Sequence, residues 1–217
     1  MAIKFFDCKG FGQLELNQVW FTRDGAIEAQ CELDPDAFAA NYPMTATEAT
    51  SGKIYGEVGA FLMVDKAKKI ATIPTTALDA KGLNMGINYS TERIYNQFTP
   101  GRRNYCMITG EFYPRIGYTS KGERFTTNTV AWDTTADIFT TANPDFDSKI
   151  MYDDVKAALA AGTEVYAFVV DGSDGKLVIG AKPADALGGV YAHVVKAYTN
   201  PDKTLSFMFE IIDKPKN

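Results

Sequence analysis

Arginine and aromatic side chains gather in one stretch of this 217-residue chain. Five of its six arginines fall between positions 93 and 124, a stretch called here the arginine–tyrosine segment. Six basic and two acidic residues give the segment a charge of +4, so the rest of the chain carries −9 to make the net −5. Arginine and tyrosine are enriched where proteins bind one another. We therefore predict an interface that contains Arg93, Arg102, Arg103, Tyr105, Tyr113, Arg115, Tyr118 and Arg124.

Two other interpretations of this segment stay open at the level of sequence. The first is an ordinary solvated face of a β domain, with surface charges that contact only water. The second is a groove for single-stranded nucleic acid, in which aromatic rings stack on bases along a basic track. The acidic remainder of the chain does not favour nucleic acid, because phosphate binding depends on a broad excess of basic side chains.

Groups that could carry out catalysis are sparse. The only histidine, His193, lies within an alternating strand-like run, which indicates a structural sheet residue. Zinc-ligand spacing and the glycine–serine elbow of a hydrolase are both absent from the sequence. A calcium loop opening at Asp171 fails, because Lys176 and Lys182 occupy the positions that need glycine and glutamate. The sequence predicts no cofactor, no metal and no enzyme activity.

Acidic side chains are the remaining candidates for catalytic groups. Asp145, Asp147, Asp153 and Asp154 form the densest acidic cluster, and two carboxyl groups that meet in space can hydrolyse glycosidic bonds. The same residues also fit a linker followed by a helix whose positive end attracts acids. The structural interpretation is favoured, and a carboxylate-based hydrolase stays as an alternative.

Composition bounds the class of protein and its compartment. No stretch approaches the roughly 20 apolar residues of a membrane span. The first residues lack the apolar run of a secretory leader. Cys8, Cys31 and Cys106 are odd in number and far apart, which favours free thiols over a disulfide framework. We expect no membrane partner and a cytoplasmic site of folding.

Most of the chain shows the period of two that is typical of strands. Residues 27–33 alternate most clearly, and Arg23-Asp24-Gly25 predicts a turn that pairs this strand with residues 14–22. Asp34-Pro35-Asp36 predicts the start of a short helix that ends near Ala40. Further strands are predicted at residues 53–64, 69–73, 85–90, 104–113 and 124–131.

The C-terminal third predicts a helix and two hairpins. The helix covers Met151 to Ala161, with acids in its first turn and Gly162 as its stop. The hairpins join residues 164–170 to 176–181 and residues 190–198 to 205–212. We predict a mainly β fold, an antiparallel sandwich or barrel with short helices. Its domains would be 1–145, β-rich with a short N-terminal arm, and 146–217, an α+β unit.

The predicted β-rich body is rich in threonine, tyrosine, asparagine and glycine. An example is the stretch Gly110-Glu111-Phe112-Tyr113-Pro114-Arg115-Ile116-Gly117-Tyr118-Thr119. In this texture the chain resembles tailed-bacteriophage virion proteins of the auxiliary or decoration type. The resemblance implies a non-enzymatic, oligomer-associated protein of the virion, assembled in the host cytoplasm. Its partners would be other subunits, either a capsid protein or further copies of this chain.

The leading functional prediction is a structural protein that docks on and stabilises a capsid or a related assembly. A carbohydrate-binding β-sandwich module is the first alternative, because sugar rings stack on indoles such as those of Trp20 and Trp132. A hydrolase that uses Asp145 and Asp147 is the second.

Overall fold

The fold is mainly β and contains two mixed sheets of eight and six strands, which confirms the predicted fold class. The computed structural model describes residues 2–6, 12–37, 55–90, 107–108, 113–139, 147–200 and 203–215. From edge to edge, the eight-stranded sheet consists of β1 (Ile3–Phe5), β12 (Val130–Asp133), β14 (Leu177–Ile179), β13 (Tyr166–Val169), β15 (Tyr191–Thr199), β16 (Leu205–Ile212), β11 (Arg124–Thr127) and β2 (Leu14–Gln18).

The remaining elements complete the fold. The six-stranded sheet consists of β3 (Ile27–Glu28), β10 (Ile116–Gly117), β8 (Asn84–Asn88), β6 (Phe61–Asp65), β7 (Ile70–Thr72) and β4 (Glu32–Leu33). A separate pair joins β5 (Tyr55–Gly56) to β9 (Met107–Ile108). The helices include α1 (Phe21–Asp24), α2 (Thr76–Asp79), α3 (Ser148–Ala160) and a 3-10 turn at Pro183–Asp185. Antiparallel pairing predominates, with one parallel pair in each sheet, β12 with β14 and β4 with β7.

The eight-stranded sheet draws on both parts of the chain. Its four strands β1, β2, β11 and β12 precede residue 145, and its four strands β13 to β16 follow it. The parallel pair of β12 with β14 and the antiparallel pair of β11 with β16 hydrogen-bond the two parts directly. The predicted boundary between residues 145 and 146 therefore runs through one sheet and does not separate two sheets.

The six-stranded sheet curls into a half-barrel. Its edge strands β3 and β4 are joined by residues 29–31 alone, and four residue steps reach at most about 14 Å. In a flat six-stranded sheet the two edges would lie about 24 Å apart. The Tyr113 hydroxyl also donates to Glu32 Oε1 at 3.3 Å, which links the segment before β10 to the opposite edge. The short connection therefore forces the sheet to curve.

Two apolar clusters hold the sheets in place. The larger one lies between the sheets and beneath α3, and it includes Phe125, Phe207 and Phe209 of one sheet with Phe61 and Met63 of the other. The smaller one fills the concave side of the half-barrel, and its members are Cys31, Leu33, Leu62, Val64, Ala71, Ile73 and Ile116, with Tyr118 packed against them.

Several local predictions near the N-terminus are wrong. Residues 27–33 do not form one strand: they form β3 and β4 on opposite edges of the half-barrel, and Ile27 is 43% exposed. The Glu28 carboxylate accepts from the backbone N–H groups of residues 29 and 30, which replaces strand pairing at the break. Residues 21–24 are helical, with Gly25 at φ 72° as the cap, and β2 pairs with β11 rather than β3.

Other boundaries agree more closely. Asp34 Oδ1 accepts from Asp36 N, and residues 35–37 are helical as predicted; residues 38–40 lie outside the described part of the chain. The strand predicted over residues 53–64 is divided into β5 and β6 by a bend at Gly59, whose φ is 86°. Of the strand predicted at 104–113, β9 is the part that the structure describes.

The C-terminal elements follow the prediction with one shift. Both hairpins form, β13 with β14 and β15 with β16. The helix begins at Ser148, three residues earlier than predicted, because the Asp147 side chain accepts from Lys149 N and Ile150 N and caps it. Asp153 and Asp154 therefore lie in its second turn. Gly162, at φ 80°, follows its end as predicted.

Candidate functional site

The described members of the predicted interface divide between the two sheets. Tyr113 and Arg115 precede β10 at the rim of the half-barrel, and both are exposed, Tyr113 by 54%. Pro114 and Ile116 alternate with them and are buried. Among the described residues, the ion pairs do not involve Arg115, so its guanidinium is available to a partner. These two side chains are placed as an interface requires.

Tyr118 has a different position. It packs against the cluster inside the half-barrel, and Lys66 Nζ lies 5.7 Å from its ring centre. Burial, with smaller contributions from Glu28 and Cys31, raises the pKa of Tyr118 to about 12. Its hydroxyl is buried without a hydrogen-bond partner in the described part of the chain. Tyr118 therefore packs a half-buried ring against the half-barrel, and its place in an interface stays a prediction.

Arg124 lies in the eight-stranded sheet. It sits opposite Glu210 on β16, and its Nε donates to Glu210 Oε2 at 2.5 Å while a terminal nitrogen contacts the same oxygen. This ion pair is half-exposed, so it contributes little to stability, at most about 1 kcal/mol. The pair engages Arg124 within the chain and on a different sheet from Tyr113 and Arg115. The structure does not bring Arg124 together with them.

Arg93, Arg102, Arg103 and Tyr105 lie outside the described residues. The chain leaves the described fold after Ser90, which lies beside Arg115, and it re-enters at Met107, which pairs with Gly56 of β5. Arg115 N donates to Ser90 Oγ at 2.8 Å, and Tyr89 N donates to Arg115 O at 2.8 Å. One end of the stretch that carries these four residues is therefore attached at the rim that presents Tyr113 and Arg115.

A third exposed side chain adjoins this rim. Ile27 of β3 pairs directly with Gly117 of β10, and Gly117 lies two residues beyond Arg115. Because residues two apart in a strand point to the same face, Ile27 shares a face with Arg115. The exposed Ile27, Tyr113 and Arg115 are called here the docking surface. They combine an aliphatic group, a phenol and a guanidinium at one rim.

A polar row crosses the outer face of the eight-stranded sheet. The strand register places Gln18, Arg124, Glu210, His193 and Tyr166 directly opposite one another on five successive strands. Paired residues project to one face with their Cβ atoms about 5 Å apart. The mid-strand position of His193 is as predicted. Sequence reasoning missed its charged neighbours Glu210 and Arg124, because the register that brings β16 and β11 beside it is not visible in the sequence.

A buried ionic cluster lies where the half-barrel meets the eight-stranded sheet. Glu57 accepts from Lys176 Nζ at 2.7 Å and from Gly12 N at 2.8 Å, and Lys176 also lies over the Phe5 ring at 5.0 Å. Asp174 is half-buried beside them. Burial raises its pKa to about 6, Lys176 opposes this rise and Glu57 adds to it. This cluster holds the two sheets together through charge.

The predicted acidic cluster is not an assembled site in the described structure. Asp147 caps α3, and Lys149 bonds to Asp153 one turn along the same helix. Asp145 lies outside the described residues. Where side chains are described, no group of three or more His, Cys, Asp or Glu residues could share one metal ion.

No helix in the described ranges is long and apolar enough to cross a membrane. Comparisons with protein families, with curated protein sequences and with solved structures find nothing that matches this chain.

Proposed function

We propose that this chain is a structural binding protein, a component of a phage virion that docks on and stabilises a capsid or a related assembly. The observation that carries the proposal is the docking surface. Ile27 and Tyr113 are 43% and 54% exposed, and the exposed Arg115 lies at the same rim. Arginine and tyrosine anchors surrounded by other contacts dominate the affinity of many interfaces.

The attachment of the arginine–tyrosine segment supports the same surface. The hydrogen bonds from Arg115 N to Ser90 Oγ and from Tyr89 N to Arg115 O anchor the first end of the stretch that holds Arg93, Arg102 and Arg103. A partner that contacts Tyr113 and Arg115 therefore meets the attachment of that stretch as well. Guanidinium groups bind carboxylates in a bidentate manner, so we propose an acidic partner surface.

Sedimentation tests the proposal directly. Purified chain is mixed with capsid shells of its source phage prepared without it, and the bound fraction is measured after pelleting. We expect Tyr113→Ala and Arg115→Ala each to weaken binding by about tenfold or more, the effect of removing an interface anchor. Arg124→Ala is the matched control, because its guanidinium lies on the other sheet and is paired with Glu210.

Two outcomes would overturn the proposal. The first is a chain that stays monomeric and does not pellet with shells. The second is equal binding by wild type and by the Tyr113→Ala/Arg115→Ala double variant. A weakening by Arg124→Ala as large as that by Arg115→Ala would move the interface to the eight-stranded sheet.

The other functions considered receive less support. Trp132 is fully buried against Phe207 and Phe139, so its indole cannot stack on a sugar ring. Trp20 is half-buried beside α1. Asp147 already accepts two backbone hydrogen bonds as a helix cap, which gives the hydrolase alternative no added support.

A further inference from the structure

A cavity of about 300 Å³ opens on the outer face of the eight-stranded sheet, next to Tyr166. Three separate stretches form its walls: the end of β12 with the turn after it, the start of β13, and the residues that follow β14. The ionisable groups in these walls are Asp133, Asp137, Glu164, Tyr166 and Lys182. Three carboxyl groups against one ammonium give the cavity a net negative charge.

Asp133 is the one buried residue among these ionisable groups. It is only 3% exposed, and both hydrogen bonds to its carboxylate, from Thr135 N and Thr135 Oγ1, go to Oδ1. Within the described residues, Oδ2 receives no hydrogen bond. This oxygen still reaches the space of the cavity, and a charged N–H donor there would form a strong hydrogen bond with it.

Glu164 and Tyr166 provide a second acceptor at the mouth of the cavity. The Tyr166 hydroxyl donates to Glu164 Oε2, and this bond raises the pKa of Tyr166, so the phenol keeps its proton. The donated hydrogen bond holds the Glu164 carboxylate at the wall. One carboxylate lies deep in the cavity and another lies at its mouth.

The wall beside Asp133 is preformed. Gly180 has a φ of 89°, and a Cβ there would come within 2.6 Å of the Ala136 Cβ. The turn that contains Ala136 is fastened by Ala136 N donating to Asp133 O and by Phe139, whose ring packs against Trp132 at 5.5 Å. A cavity with fixed walls loses little entropy when a ligand enters.

We propose that this cavity binds an ammonium or guanidinium head group. Its volume lies at the small end of ligand pockets, so it suits a head group and a short stem. A bare metal ion fits less well, because in the described structure no three such ligands converge on one point. A polyatomic cation with several N–H donors can reach Asp133 and Glu164 together. The head group can come from a free amine or from a lysine or arginine side chain of a protein.

Amide chemical shifts of the isotope-labelled full chain test the proposal. Ethylammonium chloride and methylguanidinium chloride are titrated as probes, with sodium chloride and tetramethylammonium chloride at equal ionic strength as controls. We expect saturable shifts confined to residues 133–138, 164–166 and 180–182. For probes of three to five heavy atoms we expect a Kd on the order of 1–10 mM.

Variants identify the acceptors. Asp133→Asn keeps an oxygen for Thr135 and removes the charge, and we expect it to weaken binding at least tenfold. Glu164→Gln removes the charge of the acceptor at the mouth of the cavity. It provides the test if Asp133→Asn does not fold. Asp171→Asn, a substitution of the same kind outside the cavity, is expected to leave binding unchanged. Equal shifts with tetramethylammonium, or full affinity in both cavity variants, would overturn the proposal.

A final pair of titrations separates the two sources of the head group. An acetylated and amidated Ala-Lys-Ala peptide stands for a protein partner, and putrescine stands for a free amine. Tighter binding of the peptide assigns the cavity to a basic side chain, and tighter binding of putrescine assigns it to a small amine. Failure of both to bind would contradict the proposal but not the docking surface, which lies on the half-barrel.

Discussion

Asp174 makes the stability of this protein depend on pH in a direction that is unusual for an aspartate. Its carboxyl lies half-buried beside Lys176 and Glu57, and its pKa rises from 3.8 to about 6, chiefly because burial disfavours the charged form. The folded state therefore holds this proton more tightly than the unfolded state does. Since the folded state binds more protons between pH 4 and 6, its stability falls as the pH rises through that range.

The size of the effect follows from the two pKa values. A difference from 3.8 to about 6 corresponds to roughly 3 kcal/mol at 1.36 kcal/mol for each tenfold change in proton affinity. Asp174 keeps partial contact with water, which screens its charge, so we reduce the expected effect to about 1–2 kcal/mol. Asp174→Asn removes the charge at nearly constant shape. It also suits the φ of 54° at this position, because asparagine tolerates left-handed backbone.

Urea denaturation of wild type and Asp174→Asn at a series of pH values measures this effect. We expect the two proteins to unfold with equal free energies near pH 4 and the variant to be more stable by about 1–2 kcal/mol above pH 7. Asp171→Asn is the matched control, because this exposed aspartate in the same turn accepts from Thr76 Oγ1 and an amide oxygen can still accept. A stability difference that does not change between pH 4 and 7.5 would refute the reasoning.

Two further substitutions test buried polar groups. Lys176→Met leaves the Glu57 carboxylate buried without its ammonium partner, so we expect the free energy of unfolding to fall by about 3–5 kcal/mol. The Lys176→Met/Glu57→Gln double variant should recover part of this loss. An unchanged midpoint of urea denaturation would show that the ion pair is dispensable. Tyr118→Phe removes a buried hydroxyl that has no partner in the described structure, so we expect the free energy of unfolding to rise by about 1 kcal/mol. Thermal denaturation of the wild type and Tyr118→Phe measures this change in stability. A lower Tm for Tyr118→Phe would mean that the hydroxyl forms a stabilising bond.

Local patterns predicted the C-terminal elements because their partners are close in sequence. The turn at Asp171 to Gly175 joins β13 to β14, and Gly162 ends α3, so each signal acts over a few residues. The same reasoning failed for residues 27–33. These residues do alternate in sequence, but β3 pairs with β10 and β4 pairs with β7, which places them at opposite edges of the curved sheet.

The candidate sites were predicted only in part, for the same reason. Tyr113 and Arg115 stood out by composition, and the structure exposes both. Tyr118 belongs to the same segment but faces inward, because it shares a strand face with the buried Ile116. The cavity acids come from segments that converge only when β12, β13 and β14 pair. No local sequence motif indicates that these acids lie close together, so only the three-dimensional structure reveals the cavity.

The order of strands in the eight-stranded sheet determines which strands are synthesised before the strands they pair with. Its two edges, β1 and β2, leave the ribosome before its four adjacent strands β13 to β16. All strands of the half-barrel lie between residues 27 and 117, so that unit can close while translation continues. β1 and β2 therefore stay unpaired until their neighbours β12 and β11 have been synthesised. Pairing across such separations is slow, and unpaired edges aggregate, so β1 and β2 are the strands that a chaperone would protect.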